Sequence, residues 1–371
     1  MTRWTDWMRL ENEDEVPSPA LVLHIERVER NLAQMLAMSS GPATLRPHVK
    51  THKLPQIVAM QVAMGITKCK CSTIAEAEMA ASAGALDILL AMQPVGPAVG
   101  RFLHLIRTFP GVHFSVIVDS QSVAAELNQA ALEAGLRIEA LLDLDVGMGR
   151  SGILRGDLAA ALYSEMSELP GIHVGGLHAY DGHLQQSDVG DRTEAGNRSV
   201  EAVEWLRGQL LASGFSVAKV VAGGTPTFPM HARREGVECS PGTTVLWDAG
   251  YARKLPDLEF LPAATLLARV VSRPGVARLC LDLGHKAVAS EMPHPRVVFP
   301  DLPDARAVMH SEEHLVLDTD RAAQFPVGTV VHGIPWHICP TVALHSEVVV
   351  ARAGLASDTW PVVARARRIN I

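Results

Sequence analysis

Three groups of residues in this chain have the types and spacing of a reactive site. The first is a lysine. The β-prone run Leu45–Val49 leads into Lys50 within LRPHVKTHK, and an amine at the C-terminal end of a strand is well placed to form a Schiff base with a carbonyl. A solvated surface lysine would leave the same trace, and the flanking histidines shift that balance only slightly. The second group is a pair of turns, Gly223-Gly224-Thr225 and Pro241-Gly242-Thr243. Glycine lets backbone N–H groups approach an anion, and threonine adds a hydroxyl, so each turn could cradle a phosphate or serve simply as a turn. The third is PWHICPT. On a strand, residues i and i+2 face the same way, so His337 and Cys339 could grasp one metal ion, or be a buried histidine and an inert thiol. Cys69 and Cys71 share that spacing, but they fall where a strand core should run and read as packing.

These residues need elements to hold them. From Ala20 to about Val245, short β-prone runs alternate with helical periodicity, the pattern of βα units in a parallel sheet. After the opening run Ala20–Ile25, Val28, Leu32, Met35 and Leu36 form the buried stripe of a first helix. Strand-like runs follow at 45–49, 68–72, 87–91, 113–118, 138–144, 172–179, 219–222 and 239–245. A helix from Ser120 to Ala134, stopped by Gly135, fits between two of them. Eight strands with interposed helices predict an α/β fold of TIM type, a (β/α)8 barrel. An open doubly wound sheet is the alternative, but no GxGxxG turn follows the first strand. From Trp247 onward, Pro-, Gly- and Val-rich runs predict a mainly β second domain. Barrel phosphate sites form after strands seven and eight, where the two glycine turns fall. With Lys50 on the first strand, they suggest a phosphate-bearing cofactor that forms a Schiff base, for which pyridoxal phosphate is the candidate.

Composition limits the partners. The 371 residues carry a net charge of −7 and are 48% hydrophobic and 20% charged, so the chain can bury a sizeable core. That acidity argues against nucleic acid or an anionic membrane as a partner and favours a small-molecule substrate. Five cysteines are too few and scattered for a disulfide framework, which predicts a reduced, cytoplasmic setting. The opening MTRWTDWMRLENEDE lacks a signal-peptide pattern, and no apolar stretch reaches membrane-spanning length.

Taken in order, LRPHVKTHK, LDLDVGMGRSGI, LHAYDGH, AGGT, PGT and PWHICPTVALHSEVVV resemble the D-threonine aldolase and D-serine dehydratase group of pyridoxal-phosphate enzymes. The resemblance spans about Pro17 to Val350. It implies an alanine-racemase-like fold in which residues 26–246 form the cofactor-binding barrel, while 1–25 and 247–371 form the β domain and carry the metal site. It also implies a homodimer acting on a D-amino acid. By position, Lys50 matches the Schiff-base lysine, Arg150 the arginine near the cofactor's phenolate oxygen, and Tyr180 the aromatic residue by the pyridine ring. Gly224, Thr225, Gly242 and Thr243 match the phosphate cradle, and His337 and Cys339 the pair that holds a divalent ion. Taken alone, Arg150 could be a structural ion pair and Tyr180 a core tyrosine. Thiolate plus imidazole favours zinc over manganese or magnesium, with water and substrate completing the shell.

The resemblance leaves the reaction open. Aldolase members usually carry Asp as the second metal ligand and dehydratase members Cys, so Cys339 favours dehydration to a 2-oxo acid and ammonia. The wording of HAYDGH and PWHICPTVALH is closer to the aldolases, which cleave to glycine and an aldehyde, and that reading leads. Where aldolases place a histidine after the tyrosine this chain has Gln186, so His183 is the candidate hydroxyl base, with His178 a second proton carrier near the ring. A racemase would need an opposing tyrosine, and the chain has only Tyr163, Tyr180 and Tyr251. A non-catalytic cofactor carrier would lack the second domain and the metal pair. His345 and Glu347 read either as supports of the metal pair or as an exposed strand face. Asp282 and Lys286 match a DxGxK segment without an assigned role.

Overall fold

The computed structural model describes residues 6–371; residues 1–5, which the sequence places in the β domain, lie outside the described residues. Backbone contacts divide the chain into two compact units. One comprises Met35–Lys50, Leu54–Gly242 and Ala366–Ile371; the other takes the stretch up to Gln34, Thr51–Lys53 and Thr243–Arg365. The division at 25/26 comes from the family resemblance and that at 246/247 from a change of pattern, whereas contacts divide the helix Ile25–Met38 between the units.

Strands are numbered along the chain. β1, Ala20–His24, belongs to the second unit. The first unit holds β2 (Lys68–Cys71), β3 (Asp87–Leu90), β4 (His113–Val118), β5 (Ile138–Asp145), the short β6 (Ile153–Leu154), β7 (Ile172–Ala179), β8 (Lys219–Ala222) and β9 (Val237–Cys239). They lie in the order β2-β3-β4-β5-β7-β8-β9, all parallel, with β6 on β5. Residues 45–49 bridge both edges: Leu45 pairs with Cys239 and His48 with Lys70. The His48 N–H donates to Pro241, and the Lys70 N–H donates to Pro47. Pro47 has no N–H to continue the ladder, so this first strand of the barrel survives only as bridges. The last predicted strand, 239–245, is corrected: pairing ends at Cys239, and beyond Pro241-Gly242 the chain enters a 3-10 turn, Thr243–Val245.

The strands are buried on both faces, as parallel strands covered by helices must be. Leu89, Ile117, Leu141 and Val221, one each from β3, β4, β5 and β8, form one packed cluster. The predicted helix appears as Gln121–Glu133, flanked by Ser120 and Ala134, with Gly135 at φ +64° just beyond it. At the N-terminal ends of the strands, charges pair off. The fully buried Arg46 donates two bonds to Asp87, 2.8 and 2.9 Å, and one to Glu238, 2.6 Å, which Lys68 also meets. Glu139 meets Lys219 at 2.7 Å and also His113.

The second unit is mainly β. Its strands are β10 (Ala264–Gly275), β11 (Arg278–Leu281), β12 (Val297–Val298), β13 (Arg306–His310), β14 (Leu315–Asp318), β15 (Val330–Pro335), β16 (Glu347–Arg352) and β17 (Leu355–Pro361). The order is β13-β14-β11-β10-β1-β16-β17, with β15 on β10 and β12 on β15. β1 lies between β10, antiparallel, and β16, parallel. All five of its residues are buried, and Ala20 and Val22 pack with Leu10, Val16, Leu267 and Ala351. Among the described residues, no helix is long and apolar enough to cross a membrane.

Candidate active site

The C-terminal ends of the barrel strands surround a cavity of about 480 Å³. Lys50 follows the 45–49 segment, Lys70 is the third residue of β2, Asp143 and His178 lie near the ends of β5 and β7, Tyr180 follows β7, and Arg150 sits in the loop after β5. Three cations gather around the Tyr180 ring: Lys50 Nζ at 5.5 Å, Lys70 Nζ at 5.3 Å and the Arg150 guanidinium carbon at 4.8 Å from its centre. The ring stands where two glycines admit it. A Cβ on Gly182 would lie 2.0 Å from the tyrosine oxygen, and one on Gly224 would lie 3.1 Å from the ring. Tyr180 is thus a half-buried cavity wall rather than a core tyrosine.

Asp143 fixes the tautomer of His178. Both are buried, and Nδ1 lies 2.6 Å from the carboxylate; an ionised carboxylate only accepts, so Nδ1 carries the proton. Burial lowers the pKa of His178 even against the pull of Asp143. The ring is therefore neutral, and its Nε2 has no hydrogen-bond partner.

The glycine turns are held by side chains that sequence reasoning missed. Buried Asp181 accepts from the Gly224 N–H at 3.2 Å, the Thr227 hydroxyl at 2.7 Å and His231 Nε2 at 2.7 Å. Gly223, at φ +79°, needs to be glycine twice over, because a Cβ there would lie 2.4 Å from the His231 ring. The Gly242 N–H donates to Thr225 at 3.1 Å. Thr243 opens the 3-10 turn in the other unit. His-Ala-Tyr-Asp-Gly-His drew attention to its tyrosine and histidines, but its Asp181 organises the turn.

The second unit holds the His337–Cys339 pair, though not on a strand. β15 ends at Pro335, and His337 stands at the N-cap of the helix Ile338–Leu344, with Cys339 in its first turn. Pro340 is tolerated there because first-turn N–H groups have no intrahelical acceptor. The pair is therefore not the same-face pair of a strand that its spacing predicts; the two still meet, through a hydrogen bond between ring and sulfur. Burial opposes the charge on His337, but Cys339 and Glu291 push its pKa up to about 9, while His337 lowers that of Cys339 against burial. Each group therefore favours the charged form of the other. Glu291 Oε1 accepts from His337 Nδ1 at 2.5 Å, so a metal ion would take the other ring nitrogen, once deprotonated, in place of its hydrogen bond to Cys339. The Cys339 sulfur also lies 3.2 Å from the Thr51 hydroxyl and 3.5 Å from that of Thr243. Among the described residues, no group of three His, Cys, Asp or Glu side chains is placed to hold a metal.

Other predicted residues fall elsewhere. His183 is exposed, beside Gly147, and does not line the cavity. The Gln186 carbonyl accepts from Arg192. Cys69 and Cys71 are buried with sulfurs 4.0 Å apart, whereas Cys280 is only partly buried. Asp282 accepts from Ser18 and the Arg269 N–H, whereas Lys286 forms exposed ion pairs with Glu312 and Glu313. His345 meets the Ala287 carbonyl at 2.7 Å, and Glu347 is exposed. The Tyr163 hydroxyl donates to Ser216, and the Tyr251 ring stacks on Trp247.

A parallel barrel whose first strand delivers a cavity lysine and whose last two run into glycine turns, joined to a mainly β unit, has the architecture of the alanine-racemase-like class of pyridoxal-phosphate enzymes. Comparison with known proteins agrees. The family described as alanine racemase, N-terminal domain, matches residues 23–247, and a serine dehydratase domain family matches 263–351. A D-threonine aldolase from Arthrobacter sp. is 33% identical, over 94% of this chain and 93% of its own. The crystal structure of a D-threonine aldolase from Filomicrobium marinum superposes with a TM-score of 0.87 at 29% identity, covering 95% and 96% of the two chains. D-threo-3-hydroxyaspartate dehydratase from Delftia sp. HT23 gives 0.83 at 26%, covering 94% and 98%. Two variants of that dehydratase, a Cys-to-Ala form described as metal-free and a His-to-Ala form, have their replaced residues two apart, as His337 and Cys339 are here. The chain belongs to this family of aldolases and dehydratases and is a pyridoxal-phosphate-dependent lyase.

Proposed function

We propose that this lyase acts on D-3-hydroxy amino acids and cleaves them by a retro-aldol reaction, D-threonine giving glycine and an aldehyde. The observation that carries the proposal is the 33% identity with a D-threonine aldolase over 94% of the chain, with Lys50 lining the barrel cavity. The cavity suits the cofactor: it offers an amine, the Arg150 guanidinium for an anionic oxygen and the unpartnered Nε2 of buried His178. Lys50, Arg150 and Tyr180 would hold the ring, and Gly224, Thr225, Gly242 and Thr243 the phosphate. When bound, pyridoxal phosphate supplies the electron sink that allows a bond at the substrate α-carbon to break.

The residues divide the remaining work. Lys50 Nζ binds the cofactor and is the amine that can take or return a proton at the α-carbon. Arg150 balances negative charge on the ring side, and Asp143 holds His178 with Nδ1 protonated and Nε2 able to accept a proton. The His337 ring and the Cys339 sulfur, once deprotonated, would suit a soft divalent ion such as zinc, and the chemistry such an ion supplies is that of a Lewis acid. Glu291 then orients the ligating ring.

Cys339 supports a second reading, dehydration, because it gives this chain the His-x-Cys spacing of the residues replaced in the dehydratase variants. Product analysis with D-threonine and D-serine separates the two. Glycine plus an aldehyde supports the aldolase, 2-oxo acid plus ammonia supports the dehydratase, and neither product from either substrate overturns both.

A further inference from the structure

Lys70 takes no part in the function above. It lies between Cys69 and Cys71 on β2 with only 1% of its surface exposed, yet its ammonium lines the cavity without a hydrogen-bond partner. The charged groups around it do not supply one. Lys50 and Arg150 have its own sign. Asp143 is engaged by His178 and Ser151, and Asp181 by Gly224, Thr227 and His231. The Cys239 thiol, on β9, has its pKa pushed up to about 12 by burial and so carries no negative charge. Tyr180 offers its ring, 5.3 Å away. A hydrocarbon side chain would pack a strand core without this desolvation penalty.

We propose that Lys70 is an anion-binding residue of the cavity, its ammonium receiving an anionic oxygen of the ligand held there. This rests on the reading of the cavity as a pyridoxal-phosphate site. The oxygen has two sources of shared chemistry, the cofactor's ring oxygen and the substrate's carboxylate. Burial first, and the charge of Lys50 second, bring the amine's pKa down to about 7. It is therefore poised to take up a proton when an anion arrives.

The test compares wild type, Lys70→Met and Lys70→Arg loaded with pyridoxal phosphate. Cofactor affinity is read by fluorescence quenching, the visible band is titrated with pH, and the D-threonine concentration giving half the maximal spectral change is measured. A charge-assisted hydrogen bond lost to Met should weaken the bound partner about tenfold or more, and Arg should restore much of it. If the cofactor is the partner, its affinity falls and the pH midpoint of the visible band moves. If the substrate carboxylate is, those two stay put and the half-saturating D-threonine concentration rises about tenfold. A folded Lys70→Met that matches wild type in all three overturns the inference. Should that variant not fold, Lys70→Gln is read by the same criteria, and loss of stability alone with unchanged binding and pH midpoint also overturns it. Wild type that takes up no pyridoxal phosphate defeats the cofactor reading, and this inference with it; wild type that does, beside an indistinguishable Lys70→Met, defeats the Lys70 inference alone.

Discussion

The two ends of the barrel strands use the same residue types to opposite effect. At the N-terminal ends, Arg46 meets Asp87 and Glu238, Lys68 meets Glu238, and Lys219 and His113 meet Glu139. At the C-terminal ends, Lys50, Lys70 and Arg150 crowd one tyrosine ring, while Asp143 and Asp181 are occupied by histidines, hydroxyls and a backbone amide. One end is neutralised from within the fold and the other is not. Unmatched positive charge in a cavity is held for an incoming anion, which is why chemistry belongs at one end and stability at the other.

The sharpest break of this contrast is Lys50→Ala. Visible absorbance and lyase activity should fall to background while the melting temperature of the cofactor-free protein changes little; colour that persists would show that Lys50 is not the tethering amine. Next is Arg46→Met at the opposite end. It leaves the partly buried Asp87 and Glu238 without their shared cation, and denaturant unfolding should show a loss of about 3 kcal/mol with the position of the visible band unchanged. A small loss would mean that these ion pairs merely coincide with the end they occupy.

The pH dependence should differ between the ends as well. Burial opposes ionisation of Asp87 and Glu139, but Arg46 bonded to the first, and His113 and Lys219 bonded to the second, hold their pKa values below the ordinary carboxylate range. Their contribution is present above the unfolded value of about 4 and is lost as pH falls through the lower folded values. Acid unfolding of wild type should therefore steepen below about pH 4, and Arg46→Met should reduce that dependence. Lys70 acts with the other sign. With a folded value of about 7 against an ordinary 10.5, the unfolded chain binds more protons between those limits. The cofactor-free protein should gain up to about 1.4 kcal/mol per pH unit there, a slope that Lys70→Met removes. The smallest effect is expected from Arg198→Ala, which breaks an exposed i, i+4 pair with Glu194 and should cost under about 0.5 kcal/mol in thermal unfolding.

Much of the barrel was legible because parallel strands are apolar runs of nearly fixed length, and Lys50 could be read as reactive because it follows one. Lys70 was not, since a lysine between two buried cysteines looks like part of a strand core until its amine is seen to enter a cavity. His337 and Cys339 were recognised as a pair for the wrong geometric reason: two-residue spacing suits a strand, but the chain turns into a helix after Pro335. Glu291 and Asp181 escaped because their partners lie 46 residues away and 43 to 50 residues away, beyond any local pattern. Pro47 conceals the first strand from backbone pairing while leaving its apolar signature intact.

The position of β1 has a consequence for synthesis. One of its edges is filled by β10, which begins at Ala264, and the other by β16, which begins at Glu347. A ribosome therefore releases the apolar segment ALVLH long before either neighbour exists, while every strand of the barrel emerges before Ser240. The nascent chain must carry a sticky, half-made sheet edge through most of translation, so chaperone demand should concentrate on its first strand rather than on the larger barrel.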